Sequence, residues 1–260
     1  MKIHFLGTCA GTEPQIGRHH TAVMIETNDA LYQFDAGECC AYTAYATMGI
    51  DLLKMRALFV THPHVDHQGG LPHWIFTLPK LCVIKKTVAK FDSIDVILPD
   101  TKTWDAACAI AFGTERVHAY ADKVKFNVKA CSDGVVFEDE NLRVEAIHNL
   151  HLGIPANGVW TSFSYRVICE EKSIVISGDI KSLDDISPFI KDKTDILLIE
   201  TGHHIPENLA ASLVNYPVEN LIYYHNGRAI LNDYNGSKER IAAVWKKPFT
   251  ISEDAMTMVF

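Results

Sequence analysis

The chain lacks any apolar run that approaches the roughly 18 residues a membrane-spanning helix needs. Its opening, MKIHFLGT, is too brief an apolar segment for a secretory signal and reads as a short strand. It lacks a C-x-x-C pair. The seven cysteines (Cys9, Cys39, Cys40, Cys82, Cys108, Cys131 and Cys169) are odd in number and irregular in spacing. That pattern argues against both a disulfide framework and cysteine-held zinc, and for reduced thiols in the cytoplasm. There is no Pro/Gly/Ser-rich linker, low-complexity tract or internal repeat, so residues 1–260 read as one domain. Excess positive charge is also missing. The formal net charge is −8, whereas a surface built mainly to grip nucleic acid is usually basic.

What is present is ordinary globular material, 48% hydrophobic and 22% charged, enough for a sizeable core. Short runs rich in β-branched and aromatic residues recur: KIHFLGT, TAVMIET, ALYQFDA, RALFVTH, DVILP, RVEAI, SFSYRVI, SIVISGD, DILLIE and NLIYYH. These read as strands. Helical length and period appear at Glu38–Met48, His67–Leu78, Thr103–Phe112, Pro206–Leu213 and Ser237–Trp245. Strands and helices alternate in the first and last thirds, and the middle, Val124 to Ile176, is mostly strand. The class is α/β, with central sheets covered by helices.

The densest chemistry lies in FVTHPHVDHQGGLPHW, Phe59 to Trp74. His62, His64, Asp66 and His67 follow what reads as a buried strand ending at Val60 or Thr61. Pro63 stiffens the turn, Asp66 suits a helix N-terminus, and Gly69-Gly70 supplies bare backbone for a close approach. Burying four such side chains unpaired is costly; a divalent cation makes their convergence favourable, and imidazole and carboxylate are normal zinc ligands. A single histidine would read as a polar loop residue, but H-x-H-x-D-H between a strand and a glycine pair does not. Partners stand at other strand ends: Asp179 in SIVISGD, His225 in NLIYYH, and His148 and His151 in VEAIHNLH. Loops beyond the carboxyl ends of strands are where sites gather in open α/β sheets.

H-x-H-x-D-H, a distant His, a G-D after a strand and a strand-end His together resemble the metallo-β-lactamase superfamily. FLGTCAGTEP, RHHTAVMIET and LYQFDAGECC make the chain look most like its ribonuclease Z and related phosphodiesterase branch. The resemblance implies an αββα four-layer sandwich, two mixed β-sheets flanked by helices. It implies two divalent metal ions, with zinc the first expectation and manganese or iron compatible. His62, His64 and His151 would hold one ion; Asp66, His67 and His225 would hold the other; Asp179 would bridge them. His151 is selected over His148 because the valine, alanine and final histidine of VEAIHNLH match the branch's V-x-A-x-x-L-x-H pattern, with the leucine one position later, which leaves His148 to the core or to ligand support. The implied reaction is hydrolysis by a metal-bridging hydroxide, with Asp66 also orienting that hydroxide or taking its proton. Glu200 and a following histidine, His204 in preference to His203, resemble the branch's proton relay to the leaving group. Asp35 and Glu38 are expected to hydrogen-bond ligand histidines, and His19 and His20 to lie near the mouth or in a plain polar loop.

The pattern also departs from ribonuclease Z. GIPANGVWTSFSYRVICEEKSIVISG, between His151 and Asp179, contains no basic, glycine-rich arm for tRNA, and HNGRAI at His225 matches H-x-S-x-R-Y only loosely at Arg228, one position early, with the Ser and Tyr absent. The expected substrate is therefore a phosphodiester, a small or cyclic nucleotide or RNA, with tRNA doubtful. A thioester, lactone or β-lactam hydrolase on the same centre is the alternative. A di-iron redox protein is disfavoured by His64, which stands where the oxygen-reducing members carry glutamate, and a metal module without catalysis is weakened by the full ligand set. Lys80, Lys85, Lys86 and Lys90 read as a solvated face before a binding patch; Trp74, Phe76 and Trp160 read as core before a substrate mouth. No membrane partner is expected, and a homodimer, common in the branch, is compatible with the sequence.

Overall fold

The computed structural model describes residues 1–11, 15–113 and 121–260. The end of FLGTCAGTEP, Thr12 to Pro14, lies outside the described residues. Contacts divide the chain into two compact units. One comprises Met1–Gly7, His19–Cys131 and Asp254–Phe260; the other comprises Thr8–Arg18 and Ser132–Glu253. Each is built on one mixed seven-stranded sheet.

In the first unit, β1 (Lys2–Gly7), β2 (Ala22–Glu26) and β3 (Leu31–Phe34) run antiparallel to their neighbours, whereas β4 (Met55–Phe59), β5 (Ile94–Leu98) and β6 (Phe126–Ala130) continue from β3 in parallel. Parallel neighbours need a crossover. The helix α1 (Cys40–Tyr42) precedes β4, α2 (Val65–Gln68) and α3 (Leu71–Ile84) connect β4 to β5, and α4 (Lys102–Phe112) follows β5. Leu71 and Trp74 on α3 and Trp104 on α4 share a buried cluster with Leu58 and Val96 of the sheet. The indole Nε1–H of Trp74 donates to Cys40 Sγ at 3.1 Å, so the ring is core, with its polar edge satisfied.

The second unit mirrors this logic. Strands β7 (Gly134–Glu138), β8 (Leu142–His148) and β9 (Phe163–Cys169) form an antiparallel meander that reaches β10 (Lys172–Ile176). From β10 the sheet is parallel through β11 (Thr194–Glu200), β12 (Val218–Tyr224) and β13 (Phe249–Ile251). Helices α5 (Ser187–Ile190), α6 (Pro206–Leu213), α7 (Arg228–Leu231) and α8 (Tyr234–Val244) lie in the crossovers. Ile190, Leu209, Ile230 and Ile241 from these helices pack with Leu197 and Leu221. All seven residues of β11 are buried, the continuous apolar run of a central parallel strand. The last strand, β14 (Met256–Val259), returns to the first sheet and pairs antiparallel with β1.

Both sheets carry helices, as expected. Two helices differ from the sequence reading. The expected helix over Glu38–Met48 is α1 followed by a π turn over Thr43–Thr47, closed by Met48 N–H donating to Thr43 O at 2.9 Å. The expected His67–Leu78 helix is two, broken at Gly69-Gly70. There Gly70 N–H leaves the helix ladder for Ala36 O at 2.7 Å, and a Cβ on Gly70 would lie 2.3 Å from Gly37 O. No helix among the described residues is long and apolar enough to cross a membrane.

One polar ladder ties the parallel strands of the first sheet. Asp95 on β5 takes Arg56 of β4 at 2.6 Å and Lys129 and Asn127 of β6 at 2.9 and 2.7 Å. Burial pushes the Asp95 carboxyl up, but these donors outweigh it and hold it below the usual carboxylate range. A depressed folded-state pKa contributes stability above the unfolded value, near ~3.9, and that contribution is lost as pH falls through the folded value. Asp95→Asn is therefore expected to cost about 1–2 kcal/mol at neutral pH in urea melts, with the gap to the parent protein closing below pH ~4. A gap independent of pH would remove the carboxylate's charge from the account.

Candidate metal centre

Every sequence-predicted ligand lies at the carboxyl end of a strand, in the loop that follows it or, for Asp66 and His67, on the short helix just beyond that loop. In the first unit, β4 runs out into Val60 and Thr61, and the motif begins. Asp35, just past β3, organises it. This carboxylate, 1% exposed, accepts Thr61 N–H at 2.7 Å, the Thr61 hydroxyl at 3.0 Å and the His67 ring at Nδ1 at 2.8 Å. With its hydroxyl hydrogen spent on Asp35, Thr61 Oγ1 accepts from His62 Nδ1 at 3.0 Å. Both buried imidazoles are thereby fixed in the tautomer whose Nε2 carries the lone pair. Gln68 donates to Pro63 O at 2.6 Å and closes the turn. Helix α2 begins at Val65, and Ala36 N–H binds His67 O at 2.6 Å.

Within this turn His62 Nε2 and His64 Nδ1 stand 2.9 Å apart, a spacing that a shared proton or a shared cation satisfies. Asp66 Oδ2 stands 3.4 Å from His67 Nε2. His62, Asp66 and His67 are buried, and His64 is exposed.

In the second unit, Asp179 follows β10 through Gly178, whose φ of +58° and N–H to Tyr224 Oη at 2.9 Å set the turn. Asp179 is 2% exposed. Its Oδ1 lies 3.2 Å from His225 Nε2; its Oδ2 lies 3.7 Å from His151 Nε2 and 3.7 Å from His203 Nδ1. One oxygen faces each predicted ligand histidine. His225, after β12, adopts a φ of +50°, a conformation that side chains other than glycine seldom take and that marks a held position. The bare Cα of Gly202 makes room for it: a Cβ there would stand 2.8 Å from the ring. His151 N–H donates to Asn149 Oδ1 at 3.2 Å, and Asn149 is clamped by Ser162 at 2.6 Å and Ser164 at 3.1 Å.

Glu200, fully buried at the end of β11, accepts the N–H of Ile180 and His203 at 3.3 and 3.0 Å. Both candidate relay histidines touch it, His203 Nδ1 at 3.1 Å and His204 Nε2 at 3.4 Å. They differ in surroundings. His204 Nε2 meets Ile180 O at 3.0 Å, whereas the His203 ring lies 4.9 Å from that of His151 and stacks at 6.2 Å on that of His225. Asp179, His203 and His225 form a cluster whose ligand atoms lie within 4.8 Å of one another. His203 was read from sequence only as the lesser relay candidate; its place after a strand-end glutamate was the available signal.

A tetrahedral zinc with ligands at about 2.0–2.1 Å sets neighbouring donor atoms about 3.3 Å apart. The donor pairs within each unit, at 2.9, 3.4 and 3.2 Å, fit that edge. The donor set is histidine and carboxylate, suited to a divalent ion.

The remaining sequence expectations sort plainly. Glu38 pairs with the His20 ring and lies 3.8 Å from His19, in place of the ligand histidine expected for it. His148 is half-exposed, paired with Asp133 at 2.6 Å and stacked on Trp160 at 4.0 Å, outside both the core and the ligand set. Lys85 and Lys90 pair with Asp51 and Asp29, as a solvated face does.

The architecture is the metallo-β-lactamase fold. The chain matches the structure of YhfI, a metallo-β-lactamase fold protein from Bacillus subtilis, with a TM-score of 0.74 at 13% identity over 99% of each chain. It matches the short form of human tRNase Z with a TM-score of 0.71 at 20% identity, over 100% of this chain and 99% of that one. Within that class the chain belongs to the family described as Anti-Pycsar protein Apyc1, whose model matches residues 1–216. It is also similar to ribonuclease Z of Listeria innocua serovar 6a, 27% identical over 189 residues that make up 72% of this chain and 55% of that protein. The chain thus spans about half the length of the curated relatives it matches.

If Asp35 sets the tautomer of His67, then Asp35→Asn weakens metal binding about tenfold to a hundredfold. Competition against a chromogenic chelator reads this, and unchanged affinity in a folded variant would remove Asp35 from the site.

Proposed function

We propose that the protein is a dinuclear-metal hydrolase of phosphodiesters, acting on small or cyclic nucleotides ahead of RNA, in the cytoplasm. The observation that carries the reading is Asp179, whose two oxygens divide between His225 and His151. A carboxylate so divided suits a bridge between two ions. In this reading residues 1–260 are one hydrolase domain. His62, His64 and His151 hold one ion, and Asp66, His67 and His225 the other; zinc is the first choice for the donor set. Family membership and the likeness to ribonuclease Z support the phosphodiester class.

When bound, such ions make a nucleophilic hydroxide available near neutral pH and neutralise charge on phosphoryl oxygens. The chain's own residues do the rest. Asp35 and Thr61 hold His67 and His62 rigid, so the site does not reorganise during the reaction. Asp66 orients the nucleophile or takes its proton. Glu200 and His203 form the relay to the leaving oxygen. His203 replaces His204 in that role because its ring lies 3.7 Å from Asp179, whereas His204 is engaged with the Ile180 carbonyl at 3.0 Å. A tRNA-gripping arm is absent from the connection between β8 and β9, residues 149–162, which favours small substrates.

Purified protein loaded with zinc or manganese is expected to hydrolyse bis(p-nitrophenyl) phosphate, and not a thioester or a lactone at comparable rate. Asp179→Ala abolishes turnover and lowers metal content. His203→Ala reduces kcat by about 10²–10⁴, and His204→Ala by less. Full activity of Asp179→Ala would end the bridging assignment, and a thioester or lactone preference would move the chain to the alternative chemistry.

A further inference from the structure

The first unit carries a surface that the hydrolytic reading does not use. Residues 80–90, KLCVIKKTVAK, hold four lysines and no acid in a chain whose net charge is −8. They form the last turns of α3 and the stretch that leaves it. Leu81 and Cys82 are buried, whereas all six residues from Val83 to Val88 are exposed. Among these, Ile84 is 64% exposed and Val88 79%. A lone exposed apolar side chain needs no explanation; Val83, Ile84 and Val88 together, set among lysines, make an amphipathic face. Lys80 and Ile84 share one side of the helix by their spacing. Lys85 lies 5.8 Å from the ring of Tyr45, an exposed aromatic. Lys85 and Lys90 are partly offset by Asp51 at 3.3 Å and Asp29 at 2.7 Å, but Lys80 and Lys86 have no acidic partner among the described residues.

The helix end holds Lys86 against local preference. Helix α3 closes in a Schellman cap, with Thr87 N–H donating to Cys82 O at 3.0 Å and Lys86 N–H to Val83 O at 3.2 Å. The φ of Lys86 is +50°, at the cap position where glycine is favoured. A lysine there serves the fold less well than glycine would, and what it adds is charge.

We propose that Val83–Val88 and the lysines around it dock the protein on an anionic lipid surface. The lysines meet the headgroup charge, and Ile84 and Val88 enter the boundary beneath it. A nucleic acid would engage the lysines and leave both apolar side chains in water. A second copy set about a two-fold axis through the segment would oppose lysine to lysine. The acidic remainder of the chain is repelled by such a surface, and a Debye length near ~8 Å confines attraction to this patch, so the contact is oriented.

Nothing in this contact requires turnover, so binding alone tests it. Co-sedimentation of the purified protein compares vesicles of phosphatidylglycerol and phosphatidylcholine in equal parts with vesicles of phosphatidylcholine alone. Binding to the mixed vesicles, weakened by added salt, is expected, with none to the neutral ones. Lys86→Gly returns the favoured residue to the cap, so it melts no lower than the unaltered protein, and its affinity falls about fivefold, the share of one lysine near a charged surface. Ile84→Ser combined with Val88→Ser keeps every charge, lies wholly on the surface, and lowers affinity at least about tenfold. Equal binding to both vesicle types, or binding to neither, overturns the proposal, as does an affinity that both variants leave intact. Without vesicle binding, a duplex RNA held through Lys86 reassigns the face to nucleic acid, and a dimer that the serine pair dissociates reassigns it to a second copy; either result overturns the lipid assignment.

Discussion

The Asp35 carboxylate is the constraint on which the motif turn depends. It is buried, and a buried carboxylate persists only where donors replace water. Thr61 supplies two and His67 supplies a third. The same contacts reach His62 through the Thr61 hydroxyl, so one side chain aligns two imidazoles from opposite ends of the turn. The glycines around it serve the same end. Gly37 and Gly70 let three stretches of backbone approach where a Cβ would collide, which holds the turn close against the segment after β3.

This explains which parts were legible in the sequence. The strands β10, β11 and β12 are dense in Ile, Leu and Val because they are central and parallel, and the dense runs were readable at once. Pro206–Leu213 was bounded correctly by its leading proline. By contrast β13 and β14 were missed: three and four residues long, with partly exposed patterns, they owe their strand form to their neighbours β12 and β1 and not to local propensity. The break between α2 and α3 was also hidden, because tertiary hydrogen bonding from Gly70 to Ala36 decides it.

The candidate site followed the same rule. H-x-H-x-D-H is local, so its spacing alone announced it. Asp179 and His225 could be singled out because strand ends are readable and a carboxylate or imidazole there is unusual. The partners of Glu38 and His148 could not be found this way. Each has a near carboxylate or histidine that only folding supplies, His20 in one case and Asp133 in the other, and these satisfy the side chain away from the ligand positions. The different surroundings of adjacent His203 and His204 are likewise invisible to spacing; only folding sets Ile180 O against His204 and Asp179 near His203.

The acidic balance bears on what such a centre can attract. A net charge of −8 repels a polyanion over its whole length, while the Debye length near ~8 Å in physiological salt confines each charge to its surroundings. A long RNA would need a basic arm to overcome that repulsion, and residues 149–162 are a short connection without lysine or arginine. A small diester with one negative charge is governed by the charges within a Debye length of it. Arg228 lines a hollow beside His203, so the proposed reading, a small monoanionic diester rather than a polymer, rests on that local cation and not on the net charge.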